Sequence, residues 1–117
     1  ALEKIDGEYM QNEATESFKA LYDELKGSVG KTVARKCYDV GYTAYKAEDY
    51  DTAIKNLERA YSYDATNGEA LYNLGNSYNR IGNLDRAVEI YEQVVELFPN
   101  TEKARKSQNY IKEIKGE

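Results

Sequence analysis

The sequence predicts an all-α protein built on an internal repeat, and three observations carry that prediction. Ala, Leu, Glu and Lys are abundant while proline occurs once in 117 residues, a composition that favours helices. Apolar residues recur at helical spacing throughout, as in Phe18, Leu21, Tyr22, Leu25 and again in Leu71, Leu74, Tyr78, Ile81. Residues 34–67 and 68–101 align without gaps, a period of 34 residues. Tyr38/Tyr72, Gly41/Gly75, Asp51/Asp85, Ala53/Ala87 and Glu58/Glu92 are identical pairs in that register.

Composition excludes whole classes of function. With one cysteine and no histidine, neither an intramolecular disulfide, nor a zinc site of the Cys/His type, nor a histidine-based triad can form. No apolar run approaches the ~20 residues of a membrane span. A net charge of −5 argues against nucleic acid, whose phosphates demand a basic surface. The charge is uneven, since residues 102–117 carry +2. No cofactor or metal is expected. A first residue Ala1 in place of Met suggests a processed form or a fragment of a longer chain.

The repeat resembles the tetratricopeptide repeat, a helix–turn–helix unit of 34 residues. The second copy reads Leu71-x2-Leu74-Gly75-x2-Tyr78, then Ala87-x3-Tyr91, then Pro99. The first reads Cys37-x2-Val40-Gly41-x2-Ala44, then Ala53-x3-Leu57, with Ala65 where the proline would stand. The resemblance implies a right-handed helix–turn–helix solenoid. Its organisation is an N-terminal helical extension over 1–33, two tetratricopeptide units over 34–101, and a capping helix over 102–117.

Each signature residue has a physical task. Gly41 and Gly75 lack a Cβ and let the paired helix approach closely. Ala53 and Ala87 are small for the same contact. Tyr78 and Tyr91 fill space between helices. Glu48-Asp49 and Gly82-Asn83 are the turns within units, with Asp51 and Asp85 opening the second helices. Pro99 stops the second unit, and Asn100 or Thr101 caps the last helix. In the N-terminal segment, Ala14-x3-Phe18-x2-Leu21 echoes the second helix of a unit. The segment reads as a degenerate repeat or as the end of a coiled coil in which Leu2, Ile5 and Tyr9 take part. Gly27-Ser28-Val29-Gly30 is expected to be a helix–helix connector.

Motifs for chemistry do not hold up. Gly30-Lys31-Thr32 matches the end of a phosphate-binding loop, but the first glycine of that motif falls on Leu25, within a helical stretch. Glu48-Asp49-Tyr50-Asp51 and Asp23-Glu24 are solvated carboxylates without a cleft. Cys37 occupies a core position with no base nearby. The expectation is a non-enzymatic chain.

The unusual feature is tyrosine: 12 Tyr against 2 Phe and no Trp. In the tetratricopeptide family the first helix of each unit lines a concave face. The resemblance places Tyr38, Tyr42, Tyr45 and Lys46 there from the first unit, and Tyr72, Asn73, Asn76, Asn79 and Arg80 from the second. Lys103, Lys106 and Tyr110 follow from the last helix. Asparagine is a poor helix former, so three at a spacing of three ask for a reason, and an amide matches a peptide backbone. The candidate peptide-binding residues are therefore Tyr38, Tyr42, Tyr45, Tyr72, Asn73, Asn76, Asn79, Arg80, Lys103 and Lys106. Family members that clamp the carboxylate of chaperone tails use five residues, of which only Asn73 and Lys103 stand in place. Tyr38, Tyr42 and Ser107 take the other positions.

The function expected is a non-catalytic protein–protein interaction module that binds a peptide segment of a partner in its concave groove. The partner is a protein, not nucleic acid, and this segment does not insert into a membrane. The alternative is a structural, self-associating repeat domain, a homo-oligomer, within a larger bacterial envelope-anchored protein. The run Leu97-Phe98-Pro99-Asn100-Thr101, followed by Lys103-Ala104, resembles the C-terminal repeats of bacterial cell-envelope division-coordinator proteins. A cytoplasmic location and an extracytoplasmic one on an anchored protein both fit.

Overall fold

Helix boundaries follow from the capping residues. The computed structural model describes residues 13–117, with side chains from residue 17 onward. In chain order the helices are α1 (Glu13–Lys46), α2 (Tyr50–Tyr63), α3 (Gly68–Arg80), α4 (Leu84–Leu97) and α5 (Glu102–Lys115). No strand occurs among the described residues. The side chains of Asp49, Asn67, Asn83 and Thr101 accept the backbone N–H of Thr52, Ala70, Arg86 and Ala104, at 3.3, 3.1, 3.4 and 3.2 Å. Each satisfies a first-turn donor that has no helical partner. Asp51 and Asp85 lie in first turns, two residues after the true caps, where a negative charge suits the helix dipole. Thr101, not Asn100, caps α5.

The two turns inside the units close identically. Asp49 N–H reaches Ala44 C=O at 2.9 Å, and Asn83 N–H reaches Tyr78 C=O at 3.0 Å. Both closures need a left-handed residue, which is Glu48 (φ 63) in the first and Gly82 (φ 85) in the second. Gly82 adopts that conformation without a steric penalty, whereas Glu48 carries one.

Packing divides the chain between Thr32 and Val33 into two compact units. In the first, α1 is helical from Glu13, and Phe18, Leu21, Tyr22, Leu25 and Val29 are all more than half exposed. Leu2, Ile5 and Tyr9 lie outside the described residues. Gly27-Ser28-Val29-Gly30 is not a connector; it is interior to α1. Each glycine there costs about 1 kcal/mol relative to alanine, but no proline or cap follows to end the helix, and good helix formers flank the segment. The Thr32 hydroxyl donates to the Ser28 carbonyl at 3.1 Å within it.

In the second unit, α3 packs on α2 and α4, and α5 packs on α4 with a smaller contact to α3. The core joins Ala44, Ala53, Leu57, Ala60, Leu71, Leu74, Ile90 and Val94. Two glycines allow this packing. A Cβ on Gly41 would lie 2.8 Å from Leu57 Cγ and 3.1 Å from the Leu57 backbone nitrogen. One on Gly75 would lie 2.9 Å from Tyr91 Cε1 and 3.3 Å from Ile90 Cγ2. Leu57 and Tyr91 are completely buried, so neither can swing aside.

Gly75→Ala is therefore expected to destabilise. Propensity alone favours alanine by about 1 kcal/mol, but overpacking against a fixed ring costs about 1–3 kcal/mol. Urea denaturation checks the sign, and a raised midpoint would show that the Tyr91 ring yields.

Candidate functional site

All ten candidate residues fall within the compact unit Val33–Glu117, on α1, α3 and α5. Tyr38, Tyr42 and Tyr45 form one ladder along α1. Ring centroids are 5.7 Å apart between Tyr38 and Tyr42 and 6.4 Å between Tyr42 and Tyr45, with planes tilted only 7° and 12°. The spacings i, i+4 and i+7 place the three on one helix face. Tyr50 meets Tyr45 edge-on at 5.8 Å, and the Lys46 ammonium sits 4.8 Å above the Tyr42 ring. Helix α3 joins the ladder at both ends. Asn73 Nδ2 donates to the Tyr38 hydroxyl at 3.3 Å, and the Tyr45 hydroxyl raises the already high pKa of Arg80. Tyr42, in the middle, is 37% exposed.

Asn73 and Asn76 are turned inward, whereas Asn79 is half-buried. Asn73 and Asn76 are 6% and 9% exposed, and their amides are engaged inside the protein. Asn73 Nδ2 also donates to Glu69 C=O at 3.0 Å, and Asn76 Nδ2 donates to Asn73 Oδ1 at 3.4 Å. Asn76 Oδ1 accepts the hydroxyl of Tyr91 at 2.6 Å, and Asn79 Nδ2 donates to the same hydroxyl at 3.4 Å. A fully buried phenol needs such partners. Asn76 and Asn79 thus hold Tyr91 in place and Asn73 holds Asn76, which answers why poor helix formers stand mid-helix. The sequence carried a signal for it. Position 57 of the first unit is Leu and its counterpart is Tyr91; the hydroxyl added at the second site calls for a polar partner on α3.

Around Tyr91 the rings continue. Tyr110 of α5 stacks on Tyr91 at 5.3 Å, and Tyr72 lies 6.3 Å from it. Between α3 and α5 a pocket of about 370 Å³ is lined by Glu69, Tyr72, Glu102, Lys103 and Lys106. Its lysines already have partners: Lys103 pairs with Glu69 at 3.2 Å and Lys106 with Glu102 at 3.5 Å. Ser107 lies buried with no hydrogen-bond partner for its hydroxyl. Among the described residues there is no cluster of three potential metal ligands and no helix long and apolar enough to cross a membrane.

A sequence model of the tetratricopeptide repeat matches residues 44–108, more than half of the chain. The chain belongs to the tetratricopeptide repeat family. Repeats of this family generally mediate protein–protein interaction, and the all-α repeat architecture is that of a tetratricopeptide solenoid.

Two outcomes are expected. Asn76→Ala strips the buried Tyr91 hydroxyl of its acceptor and should cost about 1–3 kcal/mol. Most of that loss should vanish in the Asn76→Ala/Tyr91→Phe double variant, so an additive cycle in urea would show that the two side chains are not coupled. The second outcome concerns alkaline pH. Burial, reinforced by Tyr110, pushes the Tyr72 hydroxyl up to about 12, and burial also raises Tyr91 and Tyr38. An unfolded tyrosine ionises near 10, so the unfolded chain loses these protons first. The stabilisation is intact below about pH 10 and disappears as the pH rises toward 12. Thermal melts across that range should show the decline, and Tyr72→Phe should lessen it.

Proposed function

We propose that the chain is a non-catalytic adaptor that binds a peptide segment of a partner protein on the face formed by α1, α3 and α5. The observation that supports this most directly is the tyrosine ladder. Three rings stand in a row with their middle member open to solvent, beside Lys46 and Arg80, neither of which is paired with a carboxylate among the described residues. Tyrosine supplies rigid apolar area with a polar tip at low conformational cost, the chemistry of a recognition surface. The contacting set in this reading is Tyr38, Tyr42, Tyr45, Tyr72, Asn79, Arg80, Lys103 and Lys106. Asn73 and Asn76 act from beneath by fixing the rings. Two units make a short groove, so affinity is micromolar, about −8 kcal/mol.

A second reading rests on the exposed row of Phe18, Leu21, Tyr22, Leu25 and Val29. Such a row marks an interaction surface and fits a self-associating domain of a larger, anchored bacterial protein. Sedimentation of the chain and of a Tyr22→Glu/Leu25→Glu variant tests it, because a self-associating chain becomes monomeric in the variant.

For the first reading, a binder selected from a random peptide library is measured against three proteins. Tyr42→Ala should weaken it by about 2 kcal/mol, Lys46→Gln should weaken it less, and the exposed Lys55→Ala on α2 should leave it unchanged. Binding indifferent to Tyr42→Ala overturns the assignment of this face.

A further inference from the structure

We infer that the chain pairs with a second copy of itself by a reciprocal, antiparallel contact, in which residues 18–29 of each α1 dock on the uncovered face around Val40 of the other copy. This deepens the self-association reading and rests on it.

The repeat register shows what the face around Val40 lacks. Lys36, Cys37 and Val40 correspond to Ala70, Leu71 and Leu74 of the second repeat. Those three are 0%, 2% and 4% exposed, on a helix against which α2 packs. Leu71 and Leu74 share one buried cluster with Leu57 and Ala60 of α2. Among the described residues no helix precedes α1 to do the same for the first repeat. Val40 is 52% exposed, Val33 and Cys37 are half-buried, and Lys36 is exposed. A lone exposed valine is ordinary. Here the equivalent position one repeat later shows the cover that fits it, the second helix of a preceding unit.

The exposed row on α1 has the pattern of that helix. Ala14-x3-Phe18-x2-Leu21 matches Ala53-x3-Leu57-x2-Ala60 of α2 and Ala87-x3-Tyr91-x2-Val94 of α4. Leu57, Ala60, Tyr91 and Val94 are completely buried, whereas Phe18 and Leu21 are 66% and 53% exposed. Phe18, Leu21, Tyr22, Leu25 and Val29 fall within about 100° of one another around the helix, a single apolar stripe. The chain therefore carries both an uncovered helix of the right pattern and an uncovered face at the right position. Both belong to α1, and one helix cannot pack along itself, so the two meet between copies. A two-fold axis makes the contact twice and leaves neither segment bare.

Direction follows from the repeat and from charge. Helices α2 and α3 are joined by a short loop and pack on each other, the relation of antiparallel neighbours. Setting Phe18 level with Val40 of the other copy in that direction brings Leu21 level with Cys37 and Leu25 level with Val33. It also brings Asp23 and Glu24 beside Arg35. Asp23, Glu24, Arg35 and Lys36 are exposed, and none of them is in an ion pair among the described residues. A parallel pair in register would set the two carboxylates against their own copies and the two cations against theirs. Like charges so placed repel, and opposite charges so placed fix orientation.

The test uses the full chain. Two single-cysteine proteins, Glu24→Cys and Arg35→Cys, are made in a Cys37→Ser background and oxidised separately and as a mixture. Circular dichroism checks that every variant is folded. The mixture should give a covalent dimer joining the two proteins, and either protein alone should give little. Ready crosslinking of each protein alone, or none in the mixture, overturns the proposal. Sedimentation gives a second measurement on the protein with its native cysteine. The parent should sediment at twice the chain mass at micromolar concentration, and Val40→Glu, a change at an exposed position, should be monomeric. If Tyr22→Glu/Leu25→Glu is monomeric while Val40→Glu stays dimeric, the chain self-associates by its row and the proposed pairing falls alone. A parent that is itself monomeric removes the self-association reading as well.

Discussion

The contact on which both repeats depend is a glycine on one helix pressed against a large, immobile side chain on the next. Gly41 faces Leu57 and Gly75 faces Tyr91, at distances no Cβ tolerates. Close approach at those points buries the alanines Ala53 and Ala87 completely. It also fixes how α1 and α3 stand beside α2 and α4, and therefore where the outward residues of α1 and α3 fall. A row of rings spaced near 6 Å needs that precision, because stacking weakens steeply once ring separations drift.

The two units solve one packing problem differently. In the first, the large side chain is Leu57, which asks for nothing polar, and α1 is free to carry Tyr42 outward in the ladder. In the second it is Tyr91, whose hydroxyl lies at zero exposure, and α3 places Asn76 where the first unit has Tyr42. The exchange of Leu/Tyr for Tyr/Asn at equivalent positions moves an aromatic ring from the surface to the core and a polar group from nowhere to the interior. The buried ring meets the half-buried rings of Tyr72 and Tyr110.

Much of this was legible in the sequence. The period of 34 residues, the glycine and alanine pairs and Pro99 lead to the helices and turns that the structure contains, because each residue's role there is local and steric. The ring face was legible as a set of residues, since i, i+4 and i+7 tyrosines must share one side of a helix. The destination of the asparagine amides was not. Helical spacing places Asn73, Asn76 and Asn79 along one strip, but whether such a strip faces solvent or a neighbouring phenol depends on a side chain 15 positions away from Asn76. The continuity of α1 through Gly27 and Gly30 was likewise hidden. Glycine lowers helix propensity by about 1 kcal/mol, yet propensity ends a helix only when a cap or a proline takes over.

The order in which the helices touch has a kinetic consequence. From α2 onward each helix packs chiefly on its neighbours along the chain, and the contact of α3 with α5 is small. Contacts of short sequence separation close small loops, whose entropic cost is low, and helical proteins of this kind fold in roughly microseconds to milliseconds. Assembly can begin at either glycine contact and spread to its neighbour.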